Sequence, residues 1–91
     1  MIWTLPARVD LAEAIEYRAE QSPAAAVWFL EAVEQASATL AVLAERGRIV
    51  PDLWGSGARE IFVQRFRLIY VIRDDEVRVR SFIHGARNWR P

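Results

Sequence analysis

The feature that most constrains the fold is a change in the spacing of apolar residues at Gly47. Before this glycine, apolar side chains recur every three or four residues, which is the period of an amphipathic helix. After it they alternate with polar side chains, which is the period of a β-strand. A chain of 91 residues with this division is predicted to form one domain, residues 1–91, in which helices pack on a sheet.

Two helices are predicted in the first half. One covers about Ala7–Gln21, and the second covers about Pro23–Arg46 and is terminated by Gly47. The apolar stripe of the second helix comprises Phe29, Val33, Ala36, Leu40 and Leu43. Ser22 can cap the second helix, and Pro23 suits its first turn. Because the break between the helices is so tight, they are predicted to form an antiparallel hairpin.

Four strands are predicted around this hairpin. A short strand at Ile2–Leu5 is ended by Pro6, and Arg48–Ala58 is predicted to be a loop. The remaining strands are Arg59–Gln64, Phe66–Ile72 and Val77–His84, with the turn between the last two at Asp74 and Asp75. The order β-α-α-β-β-β indicates an α+β fold, a helical hairpin packed on a small antiparallel sheet.

An even-numbered loop between the last two strands fixes which residues share a sheet face. Such a loop pairs Ile72 with Val77, and the ladder then continues through three pairs: Tyr70 with Val79, Leu68 with Ser81, and Phe66 with Ile83. These mostly apolar residues are predicted to face the helices. The opposite face is then predicted to carry Arg65, Arg67, Ile69, Val71, Arg78, Arg80, Phe82 and His84.

The cations of this chain are twelve arginines, with no lysine. Residues 1–46 hold three arginines against seven acidic residues, a net charge of −4, and residues 47–91 hold nine against five, a net charge of +4. Arginine suits bidentate recognition of phosphate or carboxylate, so the second half is a candidate binding surface. The alternatives are a coding bias towards arginine and a solvated sheet face, and the overall charge of zero allows a local patch at most.

Several classes of site are excluded or disfavoured. Without cysteine there is no disulfide, thiol nucleophile or thiolate metal site. The run Asp74–Glu76 is interpreted as a polar turn, so no metal site is predicted. No cofactor is predicted, because the sequence contains no glycine-rich phosphate loop and no nucleophile paired with a base. The sequence shows neither a signal peptide nor a membrane-spanning run, which predicts a cytoplasmic protein.

Two groups of side chains are candidates for chemistry or recognition. His84 is either a structural histidine or a proton donor and acceptor beside arginines. Arg67, Arg80 and Arg87 are either a solvated or docking surface or a set that stabilises charge on a phosphate during cleavage. Trp28 and Trp54 are interpreted as packing residues, while Trp3 and Trp89 are predicted to cover an edge or to contact a partner.

A set of short motifs then resembles a known family. These motifs are Asp10-Leu11 and Ile15-Glu16-Tyr17 in the first helix, Arg59-Glu60, Phe66-Arg67-Leu68-Ile69-Tyr70, and Ile83-His84-Gly85-Ala86-Arg87. In order and spacing they resemble the RelE/ParE toxin superfamily over nearly the whole chain. The resemblance implies a toxin of a bacterial type II toxin–antitoxin module, neutralised by an antitoxin protein that an adjacent gene encodes.

Two activities exist within that superfamily. RelE-like members cut messenger RNA on the ribosome, and for that activity the resemblance implies Arg67, His84 and Arg87 as the catalytic residues. ParE-like members inhibit DNA gyrase and are not nucleases. The ParE-like interpretation is favoured because the lysines of RelE-like nucleases have no counterpart, with Ala58 and Glu60 at those spacings.

On the ParE-like interpretation, an arginine-bearing surface binds the target or the antitoxin. Its predicted residues are Arg65, Arg67, Ile69, Val71, Arg78, Arg80, Phe82, Trp89 and Arg90. A docked antitoxin segment would explain the apolar members of this surface, provided that they are accessible in the isolated chain. A third alternative is a fold that has lost toxicity and survives as an antitoxin-binding module.

Overall fold

The structure is a computed structural model that describes residues 1–51 and 55–86. Its helices are α1 (Leu5–Gln21), α2 (Pro23–Val42) and a 3-10 turn at Ala44–Arg46. Its strands are β1 (Ile2–Trp3), β2 (Arg48–Ile49), β3 (Arg59–Val63), β4 (Phe66–Arg73) and β5 (Glu76–His84). The strand order is β1-β5-β4-β3-β2, with β1 parallel to β5 and all other pairs antiparallel. The predicted α+β fold is therefore confirmed, with β2 as a two-residue addition in the segment predicted to be a loop.

The break between the helices follows the predicted capping. The Ser22 backbone N–H donates to Arg18 O (3.0 Å) and closes α1, while Ser22 Oγ accepts from the Ala25 N–H (3.0 Å) and caps α2. Pro23 occupies the first turn of α2. At the other end of α1, Pro6 lies inside the first turn, where a missing N–H costs nothing. The helix therefore begins at Leu5 rather than at Ala7.

Helix α2 ends at Val42, four residues before the predicted end at Arg46. After Val42 the chain is held by the Tyr70 hydroxyl instead of by further helical hydrogen bonds. The hydroxyl donates to Ala44 O (2.6 Å) and accepts from the Gly47 N–H (2.9 Å). Gly47 has an extended backbone (φ −73°, ψ 149°) rather than a helix-terminating left-handed one. A Cβ at this position would lie 2.5 Å from the Tyr70 hydroxyl oxygen, so glycine is required for close approach.

Both tight turns of the sheet have two central residues with positive φ. These are Gln64 and Arg65 (45° and 72°) between β3 and β4, and Asp74 and Asp75 (52° and 62°) between β4 and β5. This geometry matches the right-handed twist of the flanking strands. The predicted turn at Asp74 and Asp75 is confirmed.

A bulge in β5 changes the register predicted for the last hairpin. The ladder pairs Tyr70 with Val79 and then Ile69 with Ser81, so Arg80 is the extra residue. Beyond the bulge, Leu68 pairs with Phe82, Arg67 pairs with Ile83, and Phe66 pairs with His84. The predicted pairings of Leu68 with Ser81 and Phe66 with Ile83 are therefore wrong, because one inserted residue reverses the faces of every residue after it.

The main core lies between the helices and one face of the sheet. Phe82 belongs to it: its ring stacks on Phe66 (centroids 5.2 Å apart, planes 8° apart) and lies 5.9 Å from the Phe29 ring. The buried residues of α2 are Phe29, Val33, Ala36 and Leu40, as predicted, whereas Leu43 lies beyond the helix and is exposed. Phe82 was predicted on the opposite face, and that prediction is wrong.

A second, smaller core covers the opposite face of the sheet. It consists of five buried residues: Val50, Ala58, Ile69, Val71 and Ile83. Val50 follows β2 directly, and its N–H donates to Ala58 O (3.0 Å). Ile69 and Val71 do face away from the helices, but they are buried in the cluster that Val50 and Ala58 complete. The expectation that Ile69, Val71 and Phe82 form an accessible apolar patch is therefore wrong. Over the described residues, no helix has the length and apolarity needed to cross a membrane.

Candidate functional site

The predicted catalytic arginine, Arg67, lies in a buried ion pair. Its Nε and Nη2 each lie 2.7 Å from Glu60 Oε1, and only 7% of the residue is exposed. Because β3 and β4 pair Glu60 with Ile69 and Phe62 with Arg67, the two charged residues are diagonal neighbours on one sheet face. The Glu60 side chain is fully buried.

A second arginine completes this ion pair. Arg48 of β2 lies directly opposite Glu60 in the ladder, and its Nε donates to Glu60 Oε2 (2.6 Å). Unlike Arg67, the Arg48 side chain is mostly exposed (63%). The buried carboxylate is therefore held between a buried and an exposed guanidinium, and such compensation is what makes a buried charge tolerable.

His84 lies on the other side of the sheet from Arg67. It pairs with Phe66 at the end of the β4–β5 ladder, and the two rings meet edge to face (5.6 Å, 73°). Its Nδ1 accepts a hydrogen bond from the Ala86 N–H (3.3 Å), and the residue is exposed. Arg67 pairs with the preceding residue, Ile83, and successive side chains of a strand point to opposite faces. The structure therefore does not bring His84 and Arg67 together, and the third predicted catalytic residue, Arg87, lies outside the described residues.

The remaining predicted binding arginines are dispersed. Arg65 is exposed in the turn between β3 and β4, and Arg80 is exposed at the bulge. Arg78 is half-buried opposite Val71, and its buried Nε has no hydrogen-bond partner within the described part of the chain. Trp89 and Arg90, like Arg87 and Trp54, lie outside the described residues. The role of Arg65, Arg78 and Arg80 in binding stays a prediction.

Two surface features were missed at the sequence level. The first is a largely apolar groove beside β1 and between the helices, lined by Trp3, Arg8, Leu11, Leu30, Val33, Glu34 and Ser37. Apolar side chains are also exposed elsewhere on the two helices: Leu5, Val9, Val27 and Trp28. Trp28 was interpreted as a packing residue, but it is 66% exposed. The i, i+4 spacing of Leu5 and Val9 was the available sequence signal.

The second missed feature is a cleft at the opposite end of α1. It is lined by Tyr17, Arg18, Gln21, Arg65, Phe66 and His84. These residues come from the end of α1, the β3–β4 turn, the start of β4 and the end of β5. Their convergence depends on the tertiary fold, and the helical and strand periods of the sequence carry no signal for it.

Comparison with known protein families gives a match over nearly the whole chain. The family model described as "ParE toxin of type II toxin-antitoxin system, parDE" matches residues 1–89. No curated protein matches the chain significantly. The family match covers all of the described elements, from β1 to β5.

Proposed function

Because the chain belongs to the family of ParE toxins of type II toxin–antitoxin systems, we propose that it arrests growth by inhibiting DNA gyrase and that it cleaves no bond. The family also gives the chain an antitoxin partner. The observation that carries the proposal is the placement of Arg67 and His84 on opposite faces of the sheet.

Phosphodiester cleavage requires its catalytic groups to converge on one reacting centre. A general acid or base must come within hydrogen-bond reach of the proton that it moves, and a cation must approach the charge that develops on the phosphate. In this chain the Arg67 guanidinium is instead bound to the buried Glu60 carboxylate. Releasing Arg67 for a substrate would leave that carboxylate with less compensation in a buried site. These contacts support a toxin that acts by binding.

The antitoxin is proposed to occupy the apolar groove beside β1. Its walls are apolar, and Arg8 and Glu34 supply one charge of each sign. An amphipathic antitoxin helix fits this chemistry, because its apolar face can fill the groove while its flanks pair with the two charges. This surface replaces the one predicted from the sequence, in which Ile69, Val71 and Phe82 are buried.

Purified protein tests the proposed target. We expect it to inhibit ATP-dependent supercoiling of plasmid DNA by gyrase and to lose this effect when the cognate antitoxin is added in equimolar amount. Messenger RNA from arrested cells is expected to show no new ribosome-dependent cuts. An unaffected supercoiling reaction contradicts the proposal, and codon-spaced cuts would favour the nuclease. Normal growth on expression without antitoxin would favour the non-toxic binding module.

A further inference from the structure

The cleft at the carboxyl end of α1 gathers cationic and aromatic side chains. Arg18 and Arg65 supply two guanidinium groups, and Tyr17, Phe66 and His84 supply three rings. Gln21 is the remaining lining residue, so none of the described lining residues carries a carboxylate. A concave site with this content favours an anionic ligand that also carries a flat ring.

The two arginines are positioned by the surrounding fold. The Arg18 guanidinium lies 5.0 Å over the Phe29 ring, and its Nη2 donates to Gln64 O (3.3 Å). That hydrogen bond uses one of the five N–H donors of the side chain. Arg65 lies in the β3–β4 turn, and its carbonyl accepts from the Gly85 N–H (2.7 Å). The turn is therefore tied to the end of β5, which reduces the ordering cost of binding.

His84 supplies a third donor whose direction is set by the backbone. Since Nδ1 accepts from the Ala86 N–H (3.3 Å), the proton of the neutral ring lies on Nε2. The Phe66 ring meets the imidazole edge to face and restricts its rotation. In this tautomer the Nε2–H can donate to a phosphate oxygen.

Tyr17 gives the cleft an exposed aromatic surface. The residue is 58% exposed, and an exposed ring beside arginines is the combination that binds single-stranded nucleic acid, with a base on the ring and the backbone at the cations. The adjoining depression on the far side of Tyr17 and His84 includes Asp10 and Glu13. These acidic side chains disfavour a phosphate there, so the anion is directed towards Arg18 and Arg65.

We propose that this cleft binds one nucleotide of a single-stranded nucleic acid. Arg18 and Arg65 contact the phosphate, the Nε2–H of His84 donates to it, and Tyr17 stacks on the base. The cleft is distinct from the groove assigned to the antitoxin. Binding of a free strand here does not depend on gyrase inhibition, so each proposal can fail without the other.

The experiment uses the one histidine of the chain as a reporter. The full-length protein is titrated with a thymidine hexanucleotide while the His84 and Tyr17 ring resonances are followed by NMR. We expect saturable shifts of both rings. We also expect a plot of log affinity against log salt concentration with a slope of about −0.7, the value for one neutralised phosphate on a single strand.

Two substitutions that each remove one arginine distinguish binding in the cleft from nonspecific electrostatic attraction to the protein. Arg65→Asn preserves the positive φ of the turn, since asparagine tolerates that conformation, and it should weaken binding at least about five-fold because one phosphate contact is lost. Arg73→Asn removes the same charge at the opposite end of β4 and should change affinity by less than about two-fold, because Arg73 lies outside the cleft. Tyr17→Leu should weaken the hexanucleotide but not inorganic phosphate, because it removes the stacking ring only.

Four results would each overturn the proposal. They are the absence of ring shifts, equal weakening by Arg65→Asn and Arg73→Asn, equal affinity for inorganic phosphate and the hexanucleotide, and equally tight binding of hexaglutamate. The last result would identify the cleft as a docking site for an acidic protein segment. The amide spectrum of each variant reports whether it is folded, and Tyr17→Leu provides a second variant if Arg65→Asn fails to fold.

Discussion

Asp10 of α1 accepts a hydrogen bond from the backbone N–H of Phe82 (3.0 Å), one residue after the Ser81 position at which the β5 ladder resumes. The same carboxylate oxygen accepts from Ser81 Oγ (3.2 Å). The first helix therefore satisfies backbone and side-chain donors beside the bulge. This contact links the position of α1 to the face on which Phe82 lies.

Replacing Asp10 should destabilise the protein through the bulge. We expect Asp10→Ala to lower the free energy of unfolding by about 1–3 kcal/mol, since the partly buried Phe82 N–H loses its acceptor. Urea unfolding followed by tryptophan fluorescence measures the change. The control is Glu13→Ala, which removes an exposed carboxylate from the same helix and should change stability by less than about 0.5 kcal/mol. Equal effects of the two substitutions would remove the role assigned to Asp10.

Tyr70 should make stability fall at high pH. Burial raises the pKa of the Tyr70 hydroxyl above its ordinary value, so the unfolded chain ionises first as pH rises. The contribution of Tyr70 is therefore complete below about pH 10 and declines above it, by at most about 1.4 kcal/mol per pH unit until the folded-state pKa is reached. Unfolding measured from pH 8 to pH 11.5 should show this decline in the wild type and a smaller one in Tyr70→Phe.

The substitution Tyr70→Phe should also lower the free energy of unfolding at neutral pH. Tyr70→Phe leaves the buried Gly47 N–H without its acceptor and removes the bond to Ala44 O. A loss of about 1–3 kcal/mol is expected for these unsatisfied groups. Unchanged stability at pH 7 would show that the hydroxyl does not anchor the 3-10 turn.

Substitutions of Arg67 should lower the free energy of unfolding, whatever their effect on binding to a target. Arg67→Leu leaves the Glu60 carboxylate buried with Arg48 alone, which should cost about 3–5 kcal/mol. The double variant Glu60→Leu/Arg67→Leu should recover part of that loss, because no charge then remains buried. Arg48→Leu is the exposed counterpart and should cost about 1 kcal/mol or less. Chemical denaturation of the wild type, the single variants Glu60→Leu and Arg67→Leu and the double variant gives the coupling energy, and additive effects would contradict the interpretation.

This prediction bears on how toxicity assays are interpreted. An Arg67 variant that fails to arrest growth has lost a structural ion pair, so the loss is not by itself a sign of catalysis. Folded fraction and expression level must accompany any such measurement. The double variant is the informative one, because it removes the guanidinium without stranding the carboxylate.

Gly47 should tolerate no side chain while Tyr70 is present. Gly47→Ala places a Cβ 2.5 Å from the Tyr70 hydroxyl and 2.9 Å from Glu60 O, and overpacking of this kind costs about 1–3 kcal/mol. In a Tyr70→Phe background the clash with the hydroxyl disappears, while those with Glu60 O and with the ring carbon Cε1 (2.9 Å) remain. The effect of Gly47→Ala in thermal unfolding should therefore be smaller there than in the wild type. Equal effects in the two backgrounds would show that the hydroxyl is not the obstacle.

The groove beside β1 should bind the antitoxin. Leu30→Lys introduces a charge into its apolar wall and should weaken the toxin–antitoxin complex at least about ten-fold, because the lysine must be desolvated on binding. Val42→Lys, at the exposed end of α2, is the matched control and should leave affinity unchanged. Isothermal titration with the cognate antitoxin measures both. Similar affinities for the two variants would place the antitoxin elsewhere.

The elements that the sequence predicted well are those set by local chemistry. Ser22 and Pro23 specify a helix boundary through capping, and Asp74 and Asp75 specify a turn through their tolerance of positive φ. Phe29, Val33 and Leu40 specify the buried face of α2 through their spacing. None of these features depends on a residue distant in the chain.

The elements that the sequence did not predict depend on distant partners. The bulge at Arg80 is invisible in the alternation of β5 because its anchor, Asp10, lies on α1. The burial of Arg67 depends on Glu60. From the sequence, Glu60 was considered only as a position at which RelE-like nucleases carry a lysine. Ile69 and Val71 looked exposed because the covering segment around Val50 has no periodicity of its own. Each error arose from a long-range contact that overrides a local pattern.

The bulge changes which alternate residues of β5 face the helices. Odd-numbered Val77 and Val79 face the helices before Arg80, and even-numbered Phe82 and His84 do so after it. If Arg80 instead took its place in the ladder opposite Ile69, every later residue of β5 would move by one position and the imidazole would lie on the surface that holds Arg67. One inserted amino acid thus separates two groups that a ribonuclease would need side by side.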